Sequence, residues 1–270
     1  MSTHSPKFPW RCRSQMRALA IALVGSMIFS ATGGVQTALA DSPYESIDSV
    51  VAHRIIGTSV EGRPIEAYRR GTPGGTVVLV IGSIHGDEVA GMSVVNNLMT
   101  IAIPNGIDLW LVPTMNPDGV AHVTHTNANG VDLNRNFPYM WRKIDQLGSW
   151  EYSGETKASE PETKAMVKFI REIKPALGIW YHQDLNRISP GTGVDGKLRS
   201  RYSRVTGIPL KRITGGTYWG IAATWLRNRI ANANSFVVEL GPTPVSPDHI
   251  TLNTKAVLRV AVLARSLTGK

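Results

Sequence analysis

Beyond about residue 50 the chain switches between short apolar runs and amphipathic stretches. Residues 53–71, HRIIGTSVEGRPIEAYRRG, read as two short strands around a Gly-containing turn, and TPGG at 72–75 is a further turn. Residues 77–84 are almost wholly apolar and β-branched, which predicts a central strand buried on both faces. A helix is expected from Glu88 to about Thr100, then a strand over 107–115, IDLWLVPTM, closed by the turn signal NPDG. After a long loop, SEPETKAMVKFIREIKP (159–175) has the clearest helical pattern, with Ser159 as its cap, Glu162 three residues on and Pro175 as its stop. ALGIWYHQ reads as a strand, 196–206 and 219–230 as helices, and SFVVEL (235–240) as a strand with Glu239 near its end. A last helix is expected from Asp248, as cap, through Ser266. Strands alternating with helices predict an α/β fold: a single domain with a central, mostly parallel or mixed β-sheet flanked by helices. Sites in open sheets of this kind gather at the carboxyl ends of strands. His85, Asn116, His182 and Glu239 all lie at or just past such ends.

The first 40 residues follow a different pattern. Lys7, Arg11, Arg13 and Arg17 stand in a stretch without acids, followed by an apolar segment and Ala38-Leu39-Ala40. This reads as a secretory signal peptide cleaved after Ala40. The rival, a retained membrane anchor, is disfavoured because the uninterrupted apolar run is short of the roughly 20 residues a span needs. The expected organisation is a signal over 1–40 and a catalytic domain over 41–270, with 41–52 leading onto that domain. The protein is then exported to the cell envelope, with no stable membrane insertion after cleavage. The only cysteine, Cys12, leaves with the signal, so the mature chain has no disulfide. Its formal charge falls from +9 to +5. A basic surface suits anionic surroundings such as cell-wall polymers. No concentrated Lys/Arg run supports nucleic acid as a partner.

The chemistry begins where the first buried strand ends. His85 and Glu88, three residues apart at a strand-to-helix turn, can aim an imidazole nitrogen and a carboxylate oxygen at one divalent ion. His182, at the end of GIWYHQ, is the natural third ligand. The pair alone is a weak signal, since an acid near a helix start is favoured in any case. The rest of the chain strengthens it: HGDE at 85–88 is followed by NPDG at 116–119, GVDLNRN at 130–136, YHQ at 181–183 and VVEL at 237–240. Together these motifs resemble the zinc carboxypeptidase family, of the carboxypeptidase A type, over most of residues 53–268. The wording NANGVDLNRNFP and SEPET is most similar to its bacterial murein-peptide amidase branch, which trims cell-wall stem peptides.

The resemblance implies a single zinc ion held by His85, Glu88 and His182. Asp132 would accept a hydrogen bond from His85 and fix its ring. Asn134 and Arg135 would bind the substrate's terminal carboxylate, the guanidinium through paired hydrogen bonds. Glu239 would act as general base on zinc-activated water and pass the proton to the leaving amine. The family usually adds an Arg that stabilises the developing oxyanion; counting back nine residues from Asn134 lands on His125 instead. It also places a Tyr shortly before the specificity loop, where this chain has Lys211 and Arg212; Tyr202 and Tyr218 are nearby but out of register. Tyr218 and Trp219, in GGTYWG, would form an aromatic wall, with no acid in that loop to pair with a basic side chain. The expected function is an exported zinc metallopeptidase cutting an amide bond next to a residue with a free carboxylate, in peptidoglycan stem peptides of the γ-D-glutamyl–diaminopimelate type. Two alternatives are a small-molecule amidohydrolase of the aspartoacylase or succinylglutamate desuccinylase type, and a stem-peptide-binding protein without activity.

Overall fold

The structure, a computed structural model, describes residues 50–214 and 218–268. The expected signal over 1–40, Cys12 with it, lies outside the described residues, as do Gly215, Gly216 and Thr217 of the GGTYWG stretch. Among the described residues no helix is long and apolar enough to cross a membrane.

Six strands form one mixed sheet: β1 (Val50–Thr58), β2 (Pro64–Gly71), β3 (Thr76–Ile81), β4 (Ile107–Val112), β5 (Leu177–Gln183) and β6 (Asn234–Leu240). Their spatial order is β1-β2-β4-β3-β5-β6. β1, β2 and β4 pair antiparallel in sequence, while β4, β3, β5 and β6 run parallel. The helices are α1 (Ala90–Leu98), α2 (Pro117–His122), α3 (Pro161–Ile173), α4 (Gly193–Thr206), α5 (Ala222–Arg229) and α6 (Pro247–Thr268).

The central strands are apolar on both faces because both faces are covered. Val78 and Val80 of β3 pack with Leu109, Ile179, Tyr202 and Val260 beneath α1, α4 and α6. The alternate residues Leu79 and Ile81 pack with Trp110, Met166, Trp180 and Trp225 beneath α3 and α5. The strand period of two thus divides one apolar run between two cores.

Several elements differ from expectation in instructive ways. β1 begins at Val50, so the last residues of the 41–52 leader already belong to the sheet. β3 ends at Ile81 and α1 starts only at Ala90, which leaves His85 and Glu88 in an irregular turn between them. Ser159 does not cap α3: its hydroxyl donates to Glu160 Oε1, and Glu160 holds the cap position. Asp248 lies inside the first turn of α6 and does not precede it. NPDG is a helix start: Asn116 caps α2 by accepting from the Gly119 N–H at 3.0 Å, with Pro117 at the first helical position.

That short helix clamps the connections around it. The Asn116 amide also donates to the carbonyls of Ile84 and Thr126, each at 3.2 Å. Asp118, fully buried, accepts from Ser59 Oγ (2.7 Å), the Glu61 N–H (2.9 Å) and Arg63 Nη1 (2.7 Å). Gly86 lies against the backbone of Gly119 and Val120 so closely that a Cβ would overlap both. The segment carrying His85 is therefore seated on α2. Replacing Asn116 with Ala removes a helix cap and the donor to the buried Ile84 carbonyl and the half-buried Thr126 carbonyl, so a loss of about 1–3 kcal/mol is expected, measured by urea unfolding of the metal-free protein.

Candidate metal centre and cleft

Parallel register brings the reactive residues together. β5 and β6 pair so that His182 lies opposite Glu239. The turn after β3 delivers His85 and Glu88 to the same edge. His85 Nδ1 lies 3.0 Å and His182 Nδ1 2.9 Å from the same oxygen, Glu88 Oε2. One ligand atom each from His85, Glu88 and His182 lies within 4.8 Å of the other two. The Gln183 N–H also donates to Glu88 Oε2 at 3.2 Å, and the Gln183 side chain accepts from the Ala90 N–H at the start of α1.

The far side of His85 meets Asp132, with Nε2 3.1 Å from Oδ1. The same Oδ1 accepts the Asn134 N–H at 2.7 Å, so Asp132 forms a local turn and orients the imidazole at once. Its loop is anchored from behind. Asn127 donates to Glu160 and Glu162 at the start of α3 (2.9 and 3.0 Å) and accepts the Val131 N–H (3.0 Å).

These donors fit a divalent cation. Two imidazoles and a carboxylate with one oriented ring suit zinc. His85 Nδ1 is buried and makes no hydrogen bond despite its nearness to Glu88, as expected of atoms directed at a shared point and not at each other. Electrostatics agree. Burial opposes a charge on His85, but Glu88 and Asp132 outweigh it and push the imidazole up to about 10. Glu88, opposed by burial, is lowered by the two imidazoles. Without a metal, a proton on His85 balances these carboxylates.

Glu239 is buried; Oε2 has no hydrogen-bond partner, and burial raises its carboxyl above the usual range. His125 does not point into solvent from its loop. Its ring stacks on His85 at 3.6 Å between centroids, with Trp150 edge-on at 5.1 Å. Nδ1 lies 3.3 Å from Asp87, while Nε2 is buried without a partner. Burial and the neighbouring charge on His85 lower its pKa below the ordinary imidazole value.

The expected carboxylate-binding pair is already engaged. Asn134 accepts from the Ala222 N–H at 3.1 Å, and its amide nitrogen lies 3.5 Å from His182 Nε2. Arg135 Nη2 donates to Glu151 Oε1 at 2.5 Å. The cleft, about 1410 Å³, is lined by Tyr218 but not by Trp219, which packs against Arg142 at 4.0 Å. Of the expected aromatic pair only Tyr218 lines the cleft, and Trp150 lines it as well. Tyr202 is buried between Tyr181 and Asn253 and faces no substrate. An acid is also present: Asp195, from α4 and not from the GGTYWG loop, lines the cleft. Glu151, Trp150 and Asp195 carried no motif that could have marked them in the sequence.

A family model described as zinc carboxypeptidase matches residues 38–189. Murein peptide amidase A of Escherichia coli K12 is 30% identical over 140 residues, covering 48% of this chain and 58% of that protein. Carboxypeptidase SOL1 of Arabidopsis thaliana is 30% identical over 136 residues, covering 44% of this chain and 26% of that protein. The chain thus aligns with little more than half of the first of these relatives. Among solved structures, murein-tripeptide amidase from Escherichia coli O157 superposes with a TM-score of 0.63 at 24% identity, covering 83% of this chain and 98% of that one. Carboxypeptidase A from Helicoverpa armigera gives 0.69 at 22% identity, over 81% and 69%. At these identities the superpositions establish the α/β fold.

The His85 and Glu88 shifts set the pH behaviour of the metal-free protein. A raised imidazole stabilises the fold fully below its ordinary pKa of 6.5, and that stability is lost as pH rises through about 10. The lowered Glu88 contributes above about pH 4.5 and loses that contribution as pH falls below it. Urea midpoints of metal-free protein should therefore decline between pH 6.5 and 10, and zinc uptake at pH 7.5 should release about one proton, measured by calorimetry in buffers of different ionisation enthalpy.

Proposed function

Because the chain belongs to the zinc carboxypeptidase family, we propose that it is an exported metallopeptidase that hydrolyses the amide bond preceding a residue with a free carboxylate. Its substrate class is peptidoglycan stem peptides, with the γ-D-glutamyl–diaminopimelate bond as the expected target. The observation that carries this reading is the opposition of His182 and Glu239 across β5 and β6, beside the His85–Glu88 turn. Likeness to murein peptide amidase A supports the substrate class. The basic signal-like segment over 1–40 supports export.

His85, Glu88 and His182 would hold the zinc. Bound there, zinc supplies a Lewis acid that acidifies a water and polarises the scissile carbonyl. Glu239, with its unpartnered Oε2, accepts the proton from the attacking water and returns it to the leaving amine as the C–N bond breaks. His125 stands where the family has its Arg; to donate from the unpartnered Nε2 to the developing oxyanion its ring must carry the proton on Nε2, by protonation or by giving up the Nδ1 proton that faces Asp87. An imidazole is a weaker donor than a guanidinium, which keeps its charge at every working pH.

Arg135 is the receptor for the substrate carboxylate. Glu151 holds that place in the free protein, and an incoming carboxylate must exchange with it. The loop bearing the exposed Trp150 and the half-buried Glu151 thereby opposes binding.

Incubating zinc-loaded protein with muropeptides and identifying the products by mass spectrometry tests the assignment. Release of a diaminopimelate-ended fragment is expected. Peptide binding without any product would instead support the non-catalytic alternative. Glu239→Gln should abolish hydrolysis while retaining zinc and peptide. Glu151→Gln should lower KM for carboxylate-ended peptides by about threefold to tenfold, because it removes the resident competitor from Arg135. Steady-state kinetics on one dipeptide series measures both.

A further inference from the structure

A second group of donors converges beside the candidate zinc ligands. Asp87, Glu88 and His125 each offer one ligand atom within 4.8 Å of the other two, and all three line the cleft. His125 Nδ1 lies 3.3 Å from Asp87 Oδ1 and 3.9 Å from Glu88 Oε1. The other oxygen of Glu88, Oε2, is the one near His85 and His182. Glu88 thus turns one oxygen toward each group.

Three observations set this cluster apart from an ordinary His–Asp pair. At 3.3 Å the His125–Asp87 contact is longer than a charge-assisted hydrogen bond of roughly 2.7–2.9 Å. Two donors on a tetrahedral ion at about 2.1 Å stand about 3.4 Å apart, which matches it. The His125 ring is also held in place, stacked on His85 with Trp150 edge-on. Behind the ring, Asp132 Oδ2 is buried and makes no hydrogen bond; His125 Nε2, likewise unpartnered, lies 3.9 Å away and Arg135 Nη1 3.6 Å away. A metal on Nδ1 leaves the ring's proton on Nε2, the edge nearest that oxygen. Asp132 would then support His125 as it already supports His85.

Charge favours a second cation. Among the described residues no lysine or arginine pairs with Asp87 or Glu88. Asp87, Glu88, Asp132 and Glu239 stand around the two donor sets, and four carboxylates balance two divalent ions. The grouping of His85, His125 and Asp132 does not compete, because His85 Nε2 is engaged with Asp132 and Asp132 does not line the cleft.

We infer that Asp87, His125 and Glu88 Oε1 form a second site for a divalent transition-metal ion, bridged through Glu88 to the ion of His85, Glu88 and His182. An imidazole with two carboxylates suits zinc or manganese. The inference goes beyond the single ion of the proposed function and rests on that reading for the first site.

Cobalt(II), a paramagnetic stand-in for zinc, is the probe. Metal-free protein is dialysed against it, bound metal is counted by elemental mass spectrometry, and its state is followed by electron paramagnetic resonance. Two equivalents are expected, the first held more tightly. Ions that share a bridging ligand, as in two-metal sites about 3.5–4 Å apart, couple magnetically. The second equivalent should therefore diminish the signal of the first and not add to it. Asp87→Asn and His125→Gln should each weaken the second equivalent by about tenfold or more, as loss of even a supporting carboxylate does at a metal site, and leave the first in place. Asp87 is exposed, so its variant decides the matter even if His125→Gln fails to fold. A single equivalent, a second signal that simply adds to the first, or coupling that survives both substitutions would overturn the inference. A single equivalent in protein that still cleaves muropeptides would remove this site and leave the peptidase reading standing. Two coupled ions in protein that releases no product would uphold the site and remove the peptidase reading.

Discussion

Everything at the sheet edge depends on an excess of negative charge enclosed with two imidazoles. Glu88, Asp132 and Glu239 are buried or nearly so around His85 and His182; Arg135 lies 3.6 Å from Asp132, and among the described residues no lysine or arginine pairs with Glu88. Carboxylates at such a depth are costly unless a cation balances them. A proton on His85 can do so in part. A divalent ion held by His85, Glu88 and His182 would do so better, and would turn a structural burden into chemistry.

The fold brings these groups together with parallel β-strands and keeps them in place with polar clamps. Asn116, Asp118 and Gly86 fix the turn after β3, and Asn127 with Glu160 and Glu162 fixes the loop that presents Asp132. NPDG and NANG, which look like loop punctuation, are therefore the supports of the candidate metal ligands. Their buried amides and carboxylates have geometric demands that an apolar packing could not supply, and this ties the precision of the site to hydrogen bonds rather than to core volume.

Much of this was legible in the sequence. The doubly buried β3, the strands ending at His182 and Glu239, and the spacing of His85 and Glu88 all follow from apolar periodicity and ligand chemistry. The Asp132–His85 contact followed from the family resemblance. What escaped shares a physical cause. The α2 helix hid inside a turn signal because Asn-Pro serves a turn and a helix cap equally well. Ser159 lost the cap of α3 because Glu160 was already fixed by Asn127 and Asn129. Trp150 and Glu151 sit in a long aperiodic loop, and Asp195 on a helix whose pattern says nothing of which cleft it overlooks. Such residues reach the site through tertiary structure alone. Trp219, adjacent to a cleft residue in sequence, turns away to meet Arg142.

The most direct measurement is X-ray absorption at the zinc edge on protein loaded with one equivalent of the metal. Two imidazole nitrogens and one carboxylate oxygen at about 2.0–2.2 Å are the expected inner shell, with a further light atom from solvent. A shell lacking imidazole scattering, or protein that retains no zinc after gel filtration, would contradict the central claim that His85, Glu88 and His182 grip a common ion.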